Sequence, residues 1–305
     1  MFRGEQIKNL VDLFEKRDVK LYHSTQYKDF KSYLQLGGIP SRALLSEHQM
    51  AMTSFDTDSD DKKNGVWDNV FLNPIDFGNI MKKGNKGIPT VYGPISIEFQ
   101  PRVLLDANDV AICLRSAGGA GFNRDKESLN TIDEVDRIFL HEYTDSNSDK
   151  YLNPLFKSPT GLCSEFNLEY ASNPEISLTI DGSLLNFQNK RINIQVDPYI
   201  IDSNKLFDLV NREIRKYSYC FEIKERYWKN IMQIMPEIIN IISNEPPTPS
   251  IDDLLNNNEI NDCFRQWIKG IKEKNLEYQW FRFAKYFREG TLLPIFQEIE
   301  ENTPL

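Results

Sequence analysis

A histidine and a glutamate stand at the ends of predicted strands, and both residue types can carry out acid–base chemistry. His23 follows the short apolar run in "VKLYH". Glu175 opens "PEISLTI", in which Ile176, Leu178 and Ile180 alternate with polar residues. The alternation places Glu175 on the face opposite the apolar set, at the mouth of the strand. A carboxylate there could meet a substrate, whereas a histidine after a strand is more often structural.

Several other kinds of site are not supported by the motifs. No G-x-S-x-G segment accompanies His23, so a Ser-His-Asp hydrolase is not indicated. The 45 acidic residues leave no basis for choosing the carboxylate pair of a glycosidase. "AGGAGF" lacks the context of a dinucleotide fingerprint, and "TDSDD" lacks the glycine and terminal glutamate of an EF-hand. The four cysteines form no C-x-x-C pair, so we expect buried or free thiols and no metal.

The elements that must position these residues change in character along the chain. Apolar residues at i, i+3, i+4 and i+7 in "IKNLVDLF" predict a helix before the histidine, and "YKDFKSYLQLGG" predicts a second helix that stops at its glycines. Short apolar strands follow between polar loops, among them "EFNLEY" and "RINIQV". We therefore expect an α+β fold, with a mixed β core and flanking helices in residues 1–200 and an all-helical extension in residues 201–305.

Charge and hydropathy limit the partners of the chain. With a net charge of −9 over 305 residues, it lacks the overall positive field that drives non-specific binding to phosphate, although a local basic groove can still exist. Its apolar runs are far shorter than the roughly 20 residues that span a bilayer, and no apolar signal-peptide segment opens the chain. We therefore expect a cytoplasmic protein that does not enter the membrane.

One helical segment near the C-terminal end interleaves aromatic and basic residues. "WFRFAKYFR" holds two arginines and a lysine among its aromatic rings. Such a surface can hold single-stranded nucleic acid through charge and base stacking. The same pattern is also expected when the aromatic rings pack in a core and the cations form a solvated rim. Both interpretations remain open at this stage.

Four segments in this order resemble ADP-ribosyltransferases of the DarT type. "YHSTQYKDFKSYLQLGGI" resembles the entry motif of that family, where a strand ends in Tyr-His-x-Thr before a short helix and a glycine. "GVWDNVFLNPIDFGNIM" and "GPISIEF" are similar to its next two segments. "NPEISLTIDGSLLNFQNKRINIQV" resembles the stretch whose first strand carries the catalytic glutamate. The resemblance covers about residues 20–200 and implies an ADP-ribosyltransferase-like β core.

The resemblance also implies a chemistry for the residues singled out above. Cleavage of the nicotinamide–ribose bond of NAD creates an oxocarbenium-like centre, which the carboxylate of Glu175 would stabilise while helping to deprotonate the incoming nucleophile. The resemblance implies that His23 hydrogen-bonds the ribose of the adenosine half, and that Thr25 with the adjacent backbone orients nicotinamide. A basic side chain near the pyrophosphate would complete the site. The residues that the resemblance assigns to NAD, or offers as candidates for it, are His23, Ser24, Thr25, Gly38, Arg42 and Lys63.

The function implied by the resemblance is that of an NAD-dependent mono-ADP-ribosyltransferase toxin. It would use NAD as co-substrate without a metal, modify a nucleobase in single-stranded DNA or RNA, and have a neutralising antitoxin as partner. Two alternatives stay open. A transferase of the same fold could modify a protein, which the acidic net charge favours, or the chain could be a non-catalytic binding module with Glu175 at its surface.

Overall fold

The computed structural model describes residues 1–79, 88–119, 121–139, 174–202, 204–228, 231–244 and 247–302. The predicted strand "EFNLEY" and Cys163 lie outside the described residues. The other three cysteines are free thiols, buried at Cys113 and exposed at Cys220 and Cys263. In the part of the chain that is described, no helix is long and apolar enough to cross a membrane.

Short strands alternate with helices through most of the described chain, which confirms the α+β fold. The strands are β1 (Leu21–Thr25), β2 (Gly38–Pro40), β3 (Val70–Leu72), β4 (Ile95–Phe99), β5 (Asp109–Cys113), β6 (Ser128–Leu129), β7 (Glu175–Thr179), β8 (Leu184–Asn186), β9 (Ile192–Val196), β10 (Ile200–Ile201), β11 (Asn204–Lys205) and β12 (Phe221–Glu225). The α-helices are α1 (Glu5–Lys16), α2 (Tyr27–Leu36), α3 (Arg42–Glu47), α4 (Asp58–Lys63), α5 (Arg124–Glu127), α6 (Ile132–Asp136), α7 (Leu206–Ile214), α8 (Ile231–Ser243), α9 (Ile251–Asn256), α10 (Asp262–Glu273), α11 (Glu277–Phe287) and α12 (Leu293–Asn302).

Two four-stranded sheets form the centre of the fold. One has the order β1-β4-β9-β12 and the other the order β3-β7-β5-β6, while β2–β8 and β10–β11 form separate pairs. Tyr22 and Asn73 exchange two backbone hydrogen bonds of 2.8 Å, and these join β1 to the residue that follows β3. The strand that carries His23 is therefore fixed against the sheet that carries Glu175.

The strand that begins at Glu175 lies in the middle of its sheet. It pairs antiparallel with β3 on one side and with β5 on the other. Ile176 and Leu178 are fully buried, as their alternation predicts, but Ser177 on the opposite face is buried as well and accepts a hydrogen bond from Asn69. Of the first four residues of β7, Glu175 alone remains partly exposed, because it stands where the strand opens into a cavity.

The first two helices agree with the sequence pattern. The apolar face of α1 is buried against the core, and α2 buries Tyr27, Phe30 and Leu34 completely. Helix α2 ends at Gly37, whose φ of 80° lies in the left-handed region and whose N–H donates to the carbonyl of Tyr33. A glycine adopts this conformation without steric cost, so it is a favourable stop for the helix.

The C-terminal part of the chain contains the predicted helices, but they do not begin at residue 201. Phe221–Glu225 is a strand that pairs in parallel with β9 and so extends the first sheet. The half-buried Phe221 and Ile223 alternate with the exposed Glu222 and Lys224, which is the period of an edge strand carrying protective charges. The uninterrupted helical region therefore starts at Ile231, and the strand is a correction to the all-helical prediction for residues 201–305.

The last helices pack against the end of β1. Between α11 and α12, residues Arg288–Leu292 form a π-helical turn. A side chain at Gly290 would collide with Thr53 and Gln26, so the backbone of this turn lies directly on the core. Tyr27 donates its backbone N–H to Thr291 Oγ1 at 3.2 Å, and Thr291 donates to Gln26 Oε1 at 2.7 Å. These buried contacts bring α11 next to His23–Thr25.

Candidate active site

One cavity of about 490 Å³ brings the predicted histidine segment and the predicted glutamate together. It is lined by the end of β1, the start of β7, the turn after β5, the segment before β4, and residues of α2, α3, α4 and α11. Its volume falls within the range of about 300–1,000 Å³ that is usual for pockets binding small molecules and cofactors. His23, Ser24, Thr25, Arg42 and Glu175 are all among its lining residues.

His23 is held by hydrogen bonds at both ring nitrogens. Its Nδ1 lies 2.8 Å from the carbonyl oxygen of Phe71, and its Nε2 lies 3.2 Å from the hydroxyl of Tyr33. Because a carbonyl only accepts, the proton belongs on Nδ1, and Nε2 accepts from Tyr33. Burial, together with the positive charge of Arg42, lowers the pKa of His23 to about 4. The ring is therefore neutral near pH 7 and orients its neighbours instead of exchanging protons.

Glu175 has the properties of an acid–base group. Its Oε1 accepts a hydrogen bond of 2.7 Å from the backbone N–H of Ala117, in the turn after β5. Burial raises the pKa of Glu175 to about 7, and the negative charge of Asp61 adds to the rise, while hydrogen bonds from Ala117 and Ser116 oppose it. A carboxyl group with a pKa near the working pH can both accept and return a proton.

Asp61 is a second carboxylate of the cavity, and sequence reasoning missed it. It lies on α4, within the acidic segment that contains "TDSDD". Burial and the charges of Asp58 and Asp60 raise its pKa to about 6, against the lowering effect of Arg42. A Cβ atom at Gly118 would meet the Asp61 carboxylate, so Asp61 lies directly against the turn that also binds Glu175. This acidic segment therefore forms a wall of the site and is not only a solvated loop.

Arg42 lines the cavity, but its charge is already balanced. One Nη donates to both carboxylate oxygens of Asp58, at 2.8 and 3.1 Å, and the other lies 3.3 Å from Asp29. The guanidinium also donates to the carbonyl of Thr53, and it lies over the ring of Phe55 at 5.6 Å. These charge-assisted hydrogen bonds hold Arg42 as a structural strut between two carboxylates.

Two of the residues assigned to NAD from the sequence lie outside this cavity. Gly38 is the first residue of β2, where a Cβ would collide with the backbone of Leu185 on the paired strand. The close approach of these two backbones explains why residue 38 is a glycine. Lys63 has a side chain that is 74% exposed, and its ammonium lies 3.4 Å from Asp60. The structure therefore does not bring Gly38 or Lys63 to His23 and Glu175.

Aromatic rings cover one side of the cavity. The ring of Tyr92 lies 5.6 Å from that of Phe77 and 6.5 Å from that of Phe55, and Phe55 lies 4.6 Å from Tyr286. Tyr92 and Glu175 both line the cavity, and the pKa of Tyr92 is raised by desolvation and by the charge of Glu175. Such rings offer flat faces to a pyridine or a nucleobase. Tyr92 was not identified from the sequence, because "PTVYGPISIEF" reads as a strand while its tyrosine lies in the turn before β4.

Helix α11 supplies the remaining wall. Leu276 precedes this helix, and it lines the cavity together with Gln279 and Arg282. Most aromatic residues of "WFRFAKYFR" are buried, with Trp280 and Phe283 at 0% and 1% exposure, which confirms their interpretation as core residues. Arg282 differs from the predicted solvated rim, since it faces the cavity. No group of three or more residues that could hold a metal ion occurs among the described residues.

No family model matches the chain, and no curated protein matches it either. Among solved structures, the chain is similar to DarT of Thermus sp. 2.9 in complex with ADP-ribosylated single-stranded DNA. The similarity covers 68% of this chain and 94% of that chain, at 9% sequence identity and a TM-score of 0.39. At this identity and TM-score, the similarity assigns no role to any residue of the chain.

Proposed function

We propose that the chain is an NAD-dependent mono-ADP-ribosyltransferase that attaches ADP-ribose to a nucleobase in single-stranded DNA or RNA. The observation that carries the proposal is the meeting of His23–Thr25 and Glu175 in one cavity, although they belong to different sheets. These are the residues that the motif resemblance assigns to ribose and nicotinamide binding and to catalysis. Their convergence supports that assignment.

The first step is binding of NAD with its nicotinamide riboside near Glu175. In this proposal Ser24 and Thr25 contact the riboside at the end of β1, beside the neutral ring of His23. Tyr92 and Phe77 provide a flat apolar surface on which the pyridine ring can stack. Glu175 faces this region from the start of β7. Aromatic stacking and a carboxylate on one ribose would hold the scissile bond in a fixed orientation.

The second step is transfer of the ribosyl carbon. The bond between C1′ and the pyridinium nitrogen breaks, and its electron pair leaves with neutral nicotinamide. The carboxylate of Glu175 stabilises the oxocarbenium-like charge on the ribose. A nucleobase nitrogen then bonds to C1′ and loses a proton, which Glu175 can accept because its pKa is about 7. The products are nicotinamide, the ADP-ribosylated base and one proton.

A nucleic-acid acceptor is favoured by exposed aromatic residues beside the cavity. Tyr278 and Phe281 on α11 are 64% and 38% exposed, on the helix whose Arg282 faces the cavity. Lys285, on the same helix, has a side chain that is 47% exposed. Exposed rings with adjacent cations can stack single-stranded bases without sequence readout. We extend the proposal to a neutralising antitoxin, which the resemblance implies.

The proposal is tested by following label from NAD into separate polymers. Wild type, Glu175→Gln and Glu98→Gln would each be incubated with adenylate-labelled NAD plus single-stranded DNA, RNA or lysate protein. Glu98 is a matched control because it bonds Asn193 between strands of the first sheet, outside the cavity. We expect label on DNA or RNA with wild type and Glu98→Gln, and a loss of about 10²–10⁴-fold with Glu175→Gln.

The other outcomes separate the alternatives. Label on protein alone would keep the transferase and replace the acceptor. Equal labelling by wild type and Glu175→Gln would remove Glu175 from the chemistry. Intact NAD with no label on any polymer would overturn the transferase and leave the binding module as the better description.

A further inference from the structure

The cavity is lined by more carboxyl groups than cationic side chains. Its lining carboxylates are Asp29, Asp58, Asp61 and Glu175, and the arginines facing them are Arg42 and Arg282. Arg42 is engaged by two of the carboxylates at hydrogen-bond distance. A ligand with two phosphates would be repelled here unless another cation met it. Of the two lining arginines, Arg282 is the one that no carboxylate binds at hydrogen-bond distance in the described chain.

The contacts of Arg282 leave its guanidinium able to take an anionic ligand. Its Nε is 4.0 Å from a carboxylate oxygen of Asp56, beyond hydrogen-bond distance, and is buried without a hydrogen-bond partner. Asp56 is bonded instead by Lys285, at 2.9 Å. The guanidinium of Arg282 lies 5.7 Å from the ring of Tyr278 and 5.5 Å from that of Tyr286. Tyr286 also forms a side-chain hydrogen bond with Arg282. The two tyrosines therefore support the guanidinium without supplying a counter-charge.

The position of Arg282 is fixed by the core beneath it. Trp280 is fully buried on α11 and packs edge-to-face against Trp267 at 5.7 Å. After this helix, Thr291 is bonded to Gln26, the residue that follows Thr25. Helix α11 is thus attached to the end of β1, and Arg282 is held in a constant position relative to the predicted ribose-binding residues. A fixed cation binds phosphate with little loss of side-chain freedom.

We propose that Arg282 binds the diphosphate of the dinucleotide, so that α11 completes the co-substrate site. This inference rests on the proposed function, in which NAD is the ligand. A guanidinium presents paired N–H donors that match phosphate oxygens, and its charge offsets the carboxylates around the cavity. Lys63 does not line the cavity and pairs with Asp60, and Arg42 is held as a strut. The C-terminal helices are then part of the site and not a separate accessory.

The test compares ligands with and without phosphate by isothermal titration calorimetry. ADP-ribose is the probe and adenosine is its phosphate-free counterpart, each titrated into wild type, Arg282→Gln, Arg282→Lys and Lys272→Gln. Lys272 is the control because it lies on the neighbouring helix α10, pairs with Asp252 at the surface and does not line the cavity. Thermal unfolding of each variant verifies that it is folded.

We expect Arg282→Gln to bind ADP-ribose about 10–100-fold more weakly, as for the loss of a charge-assisted hydrogen bond. The ADP-ribose affinity of Arg282→Lys should lie between those of wild type and Arg282→Gln. The affinity for adenosine should be the same in all variants. Lys272→Gln should bind ADP-ribose like wild type. A single-stranded oligonucleotide titrated in the same way distinguishes the phosphate of the co-substrate from that of the acceptor.

Each contrary outcome has a distinct meaning. Unchanged ADP-ribose affinity in Arg282→Gln would overturn the inference alone, as would a loss seen only with the oligonucleotide. Equal losses for ADP-ribose and adenosine would show a distorted cavity and also overturn it. A wild-type chain that binds no ADP-ribose would overturn both the inference and the NAD-dependent function.

Discussion

Glu175 should make the folded chain less stable as the pH rises. Its pKa is about 7 in the folded chain, against an ordinary value of 4.5. Between these two values the folded state binds more protons than the unfolded state, so the free energy of unfolding falls with increasing pH. The loss begins near the ordinary pKa and levels off above the folded pKa. The ionised Glu175 carboxylate therefore destabilises the folded chain at the pH at which it would act as a base.

The size of this effect follows from the same two values. Moving a pKa from 4.5 to about 7 corresponds to a free-energy difference on the order of 3 kcal/mol. Glu175→Gln never carries the charge, and its amide oxygen can still accept the hydrogen bond from Ala117. We therefore expect the variant to be more stable than wild type by on the order of 2–3 kcal/mol at about pH 8, and by well under 1 kcal/mol at about pH 4.5.

Urea unfolding of both proteins at the two pH values measures this difference. Glu222→Gln is a suitable control, because Lys224 lowers the pKa of that exposed carboxylate through a hydrogen bond and its charge. The ionised Glu222 makes a small stabilising contribution to folding, which is present above its unfolded pKa and is lost as the pH falls. Its effect on stability therefore changes with pH in the direction opposite to that of Glu175. The reasoning would be refuted if Glu175→Gln were less stable than wild type at the higher pH, or if its gain were the same at both.

Two further predictions concern neighbours of the site. The charge of Asp61 helps to raise the pKa of Glu175. Asp61→Asn should therefore move the midpoint of the pH profile of nicotinamide release to lower pH. An unchanged midpoint would show that the two carboxylates are not coupled. Gly38→Ala should lower the free energy of unfolding in urea by about 1–3 kcal/mol, because the new Cβ meets the backbone of β8. The ADP-ribose affinity of the folded variant should equal that of wild type. Weaker ADP-ribose binding by a fully folded variant would instead place Gly38 in the NAD site.

The parts of the fold that sequence predicts are those set by short-range patterns. The apolar alternation around Ile176 and Leu178 marks β7, and it places Glu175 at the open end of that strand. Helix α2 and its stop at Gly37 follow from apolar spacing and from a glycine that can adopt positive φ. In each case the determining residues are close together in the chain, so one window of sequence contains the information.

The parts that escape prediction depend on partners far away in the chain. Asp61 belongs to an acidic stretch that resembles any solvated loop, and only its contact with the turn at Gly118 makes it part of the site. Arg282 has the spacing of a surface cation, and its direction is set by the burial of Trp280. Phe221–Glu225 is short, and its strand character depends on pairing with β9. None of these relationships is visible within a local window.

The wall formed by α11 also has a consequence for the order in which the cavity comes into existence during synthesis. Ribosomes add roughly 5–20 residues per second, so Glu175 emerges several seconds before the helix that carries Arg282. Until then the nascent chain has its β1 and β7 strands but lacks Gln279, Arg282 and the Thr291 bond to Gln26. Translation thus delivers the chemistry-bearing carboxylate first and the groups that enclose it later, which delays a complete site on the polysome.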